Sequence, residues 1–297
     1  SEAMKTSLLG TDVRNPIITA GTGSGKTESF LLPIFARLLK ESQKWDASKI
    51  EQTNFWWDNQ NVQKQWQPSI VESRKRAVRT MILYPTNALV QDQLSRLRRA
   101  INTLNKGMNG NRVYIGQYTS DTYGIKLGAE NQKEVGDYLQ QDYQDFENVC
   151  DAIDNKIIND SELKWEFANP KSSELLTRWD IQATPPDILI TNNSMLNVIL
   201  MRTKEDSIFE STREWLASDK ENCFTIVLDE FHGYRGTNGA ELASVMRKLW
   251  MRLGLAPGSN QLRCIGASAS LDSTDDTIKE FGQKFFAISR SCKIQPH

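Results

Sequence analysis

The sequence predicts an α/β fold built on a parallel sheet with helices on both faces. Three observations carry that prediction. Short β-branched or aliphatic runs alternate with longer stretches of helical periodicity along the 297 residues, the pattern of strands joined by crossover helices. Several runs are apolar throughout, as strands covered on both faces are. A glycine-rich loop follows the first run and opens the first helical stretch, while two adjacent acids, Asp229 and Glu230, end a largely apolar one. Both features therefore belong at the carboxyl edge of the sheet, where open α/β sheets carry their sites.

Taken in order, the predicted strands are 17–20, 79–84, 112–118, 187–191, 224–229 and 262–267, and the predicted helices are 26–40, 87–104, 194–202, 239–253 and 275–286. Two segments exceed what a crossover needs. The first insertion, 41–78, is polar and holds Trp45, Trp56, Trp57 and Trp66, half of the eight tryptophans. It reads as a small subdomain packing its own indoles, with base stacking as the other reading. In the second insertion, 122–186, Val135, Leu139, Asp142 or Tyr143, Phe146, Val149 or Cys150, Ile153 and Ile157 recur at three- and four-residue steps, an amphipathic acidic helix.

The net charge of −1 hides a polarised chain. Between Arg74 and Arg112 nine Lys/Arg face one acid, and between Gly128 and Glu162 ten acids face two lysines. The opposed charges suggest that the acidic insertion lies over the basic segment as an autoinhibitory flap. No apolar stretch reaches 18 residues, so no membrane span is predicted, and the absence of a leader pattern points to the cytoplasm. The four cysteines form no C-x-x-C pair, which excludes the usual zinc and iron–sulfur spacings.

The chemistry concentrates in Ala20-Gly21-Thr22-Gly23-Ser24-Gly25-Lys26-Thr27. In a strand–loop–helix setting the glycines let backbone N–H groups of Thr22, Gly23, Ser24 and Gly25 close around phosphate oxygens, helped by the helix dipole. Lys26 reaches the outer phosphates of ATP, and the Thr27 hydroxyl is a ligand for Mg2+. Ala20 stands where the general P-loop pattern has glycine. The apolar run Phe224-Thr225-Ile226-Val227-Leu228 then delivers Asp229 to the metal and Glu230 to the attacking water, followed by Phe231 and His232. As one of only two histidines, His232 has a catalytic and a structural reading.

The pairing of GTGSGKT with Asp229-Glu230-Phe231-His232 resembles the superfamily 2 DExH/DEAD-box helicases, and further matches follow in that family's order. Tyr84-Pro85-Thr86-Asn87-Ala88-Leu89-Val90-Gln91-Asp92-Gln93 is similar to motif Ia, and Tyr118-Thr119-Ser120 occupies the place of motif Ib, Ser120 departing from its glycine. Thr191-Asn192-Asn193-Ser194-Met195-Leu196 resembles the TN-x-x-ML segment, and Ser268-Ala269-Ser270 the S-A-T motif III with serine last. The resemblance implies a RecA-like first lobe, catalytic Lys26, Asp229, Glu230 and His232, nucleic-acid contacts at Pro85, Thr86, Asn87 and Thr119, and coupling of hydrolysis to strand movement through Ser268 and Ser270. Arg96, Arg98 and Arg99, on the helix after motif Ia, are candidates for phosphate contact. The tract DEFHGYRG with YPTNALVQDQ is most similar to large bacterial helicases of repair and phage-defence operons, including DISARM-type systems.

Ser1-Glu2-Ala3 ahead of Met4 reads as a cloning scar and 4–297 as one ATP-binding lobe carrying both insertions. The expectation is an ATP-dependent DNA helicase or translocase lobe whose second RecA-like lobe, and partners from a defence or repair complex, lie elsewhere. Without the arginine finger of that second lobe, ATP hydrolysis is expected to be nearly absent. The alternatives are an RNA helicase, or a nucleotide-dependent scaffold that recruits partners without moving nucleic acid.

Overall fold

The computed structural model describes residues 17–19, 25–45, 55–58, 65–68, 74–108, 112–234, 236–256, 258–268 and 294–296. Its strands are β1 (Ile17–Thr19), β2 (Thr80–Tyr84), β3 (Ile115–Tyr118), β4 (Glu174–Leu175), β5 (Ile188–Asn192), β6 (Phe224–Leu228), β7 (Leu262–Ser268) and β8 (Ile294–Pro296). They form one sheet in the order β4-β3-β5-β2-β6-β7-β1-β8, and every neighbouring pair is parallel. The helices are α1 (Lys26–Ser42), α2 (Asn87–Lys106), α3 (Ala129–Asp154), α4 (Arg178–Ala183), α5 (Asn193–Ile199), α6 (Asp206–Ser218) and α7 (Gly236–Leu253). Among the described residues no helix is long and apolar enough to cross a membrane.

Both faces of the sheet are covered, which explains the missing polar alternation in its strands. Met81 and Leu83 of β2 pack with Ile226 and Leu228 of β6 under α5, α6 and α7. Ile82 and Tyr84 point the other way and join Val227, Ile188 and Ile190 under α1 and α2. All five residues of β2 and of β6 are consequently buried. Helix α6 was not among the predicted elements, although Ile208, Phe209, Thr212, Trp215 and Leu216 repeat at helical spacing and are its buried face. The predicted helix over 194–202 stops at Ile199 as α5. The predicted helix over 275–286 lies outside the described residues.

The two insertions meet each other. Trp56 and Trp57 are buried with Val135 and Leu139 of α3 and with Trp179 of α4. Their ring neighbours are Trp179 and Tyr143 from the second insertion, together with Phe55 from the first. The expected self-contained indole subdomain is therefore corrected: Trp56 and Trp57 are buried against apolar residues of the second insertion, Val135 and Leu139 of α3 and Trp179 of α4. At 2% exposure each, Trp56 and Trp57 offer no surface for a base. The inward stripe of α3 ends with the helix at Asp154, so Ile157 is exposed rather than part of it.

At the amino edge of the sheet the basic segment turns inward. Asp187, fully buried just ahead of β5, accepts a two-pronged hydrogen bond from Arg74 at 2.8 and 2.9 Å and one from Arg79 at 3.0 Å. Arg76 lies 3.7 Å away, and the Tyr114 N–H donates to the same carboxylate. Arg79 also pairs with Glu41 of α1, which accepts from the Trp215 indole of α6. One carboxylate thus ties the segments entering β2, β3 and β5. The three guanidiniums outweigh the effect of burial and hold its pKa far below the ordinary carboxylate value.

Candidate functional site

At the opposite, carboxyl edge, β1 and β6 bring together residues some two hundred positions apart. Gly25 precedes α1 at φ 82°, a left-handed conformation that suits glycine. It places Lys26 on the first turn, with its ammonium 3.0 Å from Asp229 Oδ1 and 2.5 Å from Glu230 Oε1. Asp229 is set just past β6, and its backbone N–H donates to the Leu83 carbonyl of β2. Glu230 sits at φ 49° and ψ 45°, a left-handed conformation costly for a residue with a side chain.

Burial alone would lower the Lys26 pKa, but its contacts with Glu230 and Asp229 outweigh that and raise it, so the cation persists. Burial pushes the Asp229 carboxyl up, only partly opposed by Lys26. The buried hydroxyls of Tyr84 and Tyr234 have no hydrogen-bond partner among the described residues. Burial, and then the neighbouring Asp229 charge, raise both phenol pKa values. The Thr27 hydroxyl donates to Gln93 Oε1 of α2 at 3.2 Å. His232 places Nδ1 2.9 Å from Ser268 Oγ and 3.3 Å from Glu230 Oε2, linking the acid pair to the end of β7.

A second constellation lies along the same edge, at the ends of β2, β3 and β5. The Asn87 side-chain amide donates to Ser120 Oγ at 2.7 Å and to Asp121 Oδ2 at 3.1 Å. Asn192 donates to the Asn87 carbonyl oxygen at 2.5 Å and caps α5 by accepting the Met195 N–H. Thr86 caps α2 by accepting the Leu89 N–H.

Residues 1–125 match the DEAD/DEAH box helicase family. That stretch carries a DEAD/DEAH box helicase domain. The chain is similar to the Druantia protein DruE of Escherichia coli (strain UMEA 4076-1), with 33% identity over 331 aligned positions, 97% of this chain and 16% of that protein. The chain therefore spans about a sixth of the length of the curated relative it matches. That relative is named for Druantia, where the motif resemblance suggested a DISARM-type system. Among solved structures, the Mycobacterium smegmatis helicase Lhr bound to ssDNA and AMP-PNP gives a TM-score of 0.54 at 17% identity, over 100% of this chain and 26% of that one. The DUF1998 helicase MrfA bound to DNA and AMPPNP gives 0.50 at 20% identity, over 99% and 26%. At such identities the likeness is one of fold, and the parallel sheet with its flanking helices is RecA-like.

The expected residues divide unevenly. Lys26, Asp229, Glu230 and His232 converge, with Gly25 and Thr27 beside them; Thr22, Gly23, Ser24 and Ser270 lie outside the described residues. Asn87 joins the edge network beside Pro85 and Thr86. Thr119, expected on that strip, is instead fully buried, its hydroxyl accepting from Gln117 and from the Asp121 N–H. Arg98 spans Glu174 with two hydrogen bonds and also donates to the Trp165 and Glu166 carbonyls. Arg99 pairs with Glu162 at 2.5 Å, while Arg96 is exposed. The opposed charges thus do meet on α2, and most of the basic segment is committed within the fold.

Gln93, Asp121 and the two buried tyrosines were given no role from the sequence. Gln93 and Tyr84 stand inside the YPTNALVQDQ tract and Tyr234 follows the DEFH tract, so position was their available signal. Nothing local shows that a helix glutamine two turns past its cap faces the P-loop threonine.

Proposed function

We propose that this domain is the ATP-binding and hydrolysing lobe of a DNA-stimulated helicase or translocase, acting with a second RecA-like lobe in the complete enzyme. The meeting of Lys26, Asp229 and strained Glu230 at the carboxyl edge carries this reading. Without nucleotide, Lys26 pairs with both acids at once. When ATP enters, its phosphates compete for the ammonium, releasing Glu230 to orient and deprotonate water. Asp229 and the Thr27 hydroxyl would supply protein oxygens for Mg2+, which characteristically takes one or two protein carboxylates together with phosphates and water. Among the described residues no cluster of three His, Cys, Asp or Glu makes a protein-only metal cage. A bound Mg2+ would neutralise charge on the phosphates.

His232 connects Glu230 to Ser268, so a change in the water-facing acid reaches β7 through one side chain. The Asn87–Ser120–Asn192 network holds three strand ends in one register beside the strip proposed to meet the DNA backbone. DNA is preferred from the motif resemblance; of the solved structures that this chain resembles, MrfA and Lhr are seen with DNA and Mss116 with ssRNA. The similarity to the Druantia protein DruE supports action beside other subunits of a defence system. The test is ATP turnover by the complete enzyme with single-stranded DNA, duplex DNA and RNA. Lys26→Ala is expected to reduce stimulated turnover to background. Turnover that no nucleic acid stimulates would instead favour the recruiting scaffold.

A further inference from the structure

Far from the P-loop, the fold encloses a second space that the helicase chemistry does not use. A cavity of about 500 Å3 opens between the C-terminal half of α2, the approach to β3, the C-terminal half of α3 and the segment 164–174. That volume falls within the range of small-molecule sites, about 300–1,000 Å3. Its wall combines Lys106, Arg112 and Lys164 with Phe146 and Trp165, and the Asn102 amide lies among them. Two other cations on the wall are already committed, Arg98 to Glu174 and Lys171 to Asp58. Lys106, Arg112 and Lys164 form no ion pair among the described residues, and Glu174 is the wall's one carboxylate.

We propose that this cavity is a binding site for a single nucleotide: a phosphate held by Lys106, Arg112 and Lys164, with a planar base against Trp165 and Phe146. The pairing of groups argues for that class. Arginine and lysine clusters hold phosphate oxygens by charge-assisted hydrogen bonds, and an indole or phenyl face accepts any nucleobase. The Lys164 ammonium lies over the Trp165 ring, 5.1 Å from its centre, so a phosphate drawing that ammonium aside would free the ring face for the base. Asn102 supplies both a donor and an acceptor for a base edge.

Size and surroundings favour one nucleotide over a strand running through. The cavity is roofed by α3, whose segment carries a large excess of acids. A polyanion threaded past that helix would be repelled, whereas one nucleotide needs only the basic island beneath it. The site is also separate from the edge network. Asn102 stands fifteen residues from Asn87 on continuous α2, about 20 Å by the helical rise of 1.5 Å per residue.

The shared chemistry, a nucleoside phosphate, could come from a free nucleotide or from the phosphorylated end of a strand. Calorimetric titration of the complete protein in the Lys26→Ala background, which disables the P-loop, separates this cavity from the ATP site. The probes are AMP, GMP, CMP and UMP, inorganic phosphate, and a trinucleotide with and without a 5′-phosphate. Saturable binding of at least one monophosphate is expected. It should weaken at least about tenfold in Lys106→Glu/Arg112→Glu and in Trp165→Ala, corresponding to about 1.4 kcal/mol. Lys106 and Arg112 are exposed, so their reversal leaves the core intact, as circular dichroism would verify. If the 5′-phosphorylated trinucleotide binds as tightly as the monophosphates and its 5′-hydroxyl form does not, the strand end occupies the site; if monophosphates bind alone, the free nucleotide does. The proposal is overturned if no monophosphate binds below about 1 mM, if inorganic phosphate binds as tightly as the monophosphates, or if the reversed variant binds unchanged.

Discussion

The two edges of the sheet carry carboxylate–cation clusters of opposite design. At the amino edge one acid, Asp187, is surrounded by Arg74, Arg76 and Arg79, sealed from water, with its pKa held down. At the carboxyl edge one cation, Lys26, serves two acids, and burial leaves the Asp229 pKa raised. Excess cation satisfies every lone pair and locks three strand approaches. Excess acid, with phenols at Tyr84 and Tyr234 unpartnered, leaves hydrogen-bonding capacity unused among the described residues. The same interaction serves stability where it is saturated and chemistry where it is not.

This contrast yields predictions that can break it, in descending size. Glu230→Gln should reduce DNA-stimulated ATP turnover by about 10²–10⁴-fold, the usual range for a general base, while the unfolding midpoint stays near wild type. A large stability loss would make the carboxyl edge a lock as well. Asp187→Asn should cost about 3–5 kcal/mol in urea unfolding, because it strands buried guanidiniums; little change would show that this cluster locks nothing. Since the native pKa of Asp187 is depressed, its contribution is complete above about pH 4, the unfolded carboxylate value. It should fade as pH falls toward the native value, and thermal melts of wild type against variant would converge in acid.

Asp229→Asn should behave in the opposite sense. A raised native pKa means that the folded state holds its proton more tightly than the unfolded state. This group therefore opposes stability once pH rises above the unfolded value, and its removal should leave the melting temperature of the nucleotide-free protein unchanged or higher near neutrality. A fall like that of Asp187→Asn would erase the distinction. The smallest effect is expected on α2, where Arg99 and Glu162 are both more than half exposed. Arg99→Ala should cost less than about 1 kcal/mol, and a larger loss would show the acidic insertion to be a structural clamp on the basic helix.

Most of the frame was legible because its signals are local. Apolar runs such as 224–228 and the strand–loop–helix setting of Lys26 depend on neighbours a few residues away. Helix α6 had an equally local signal in its buried stripe and should have been read. The basic segment misled for a physical reason. Charge in a sequence has sign but no direction, so Arg74, Arg76 and Arg79 look the same facing a polyanion as facing buried Asp187. The tryptophans misled similarly: an indole seeks any apolar face, and nothing near Trp56 announced that α3 would provide it.

By itself, the sequence determined the α/β class, the P-loop and acid-pair chemistry and the family resemblance, because backbone preference, hydrophobic period and motif spacing are properties of contiguous residues. Tertiary structure decided which charges are free. Only folding brings Lys26 to Asp229 and Glu230, spends the arginines on Asp187, Glu41 and Glu174, and leaves Lys106, Arg112 and Lys164 around an open cavity. Coulombic pairing acts through space over a few ångströms, and those few ångströms are set by chain segments scores of residues apart.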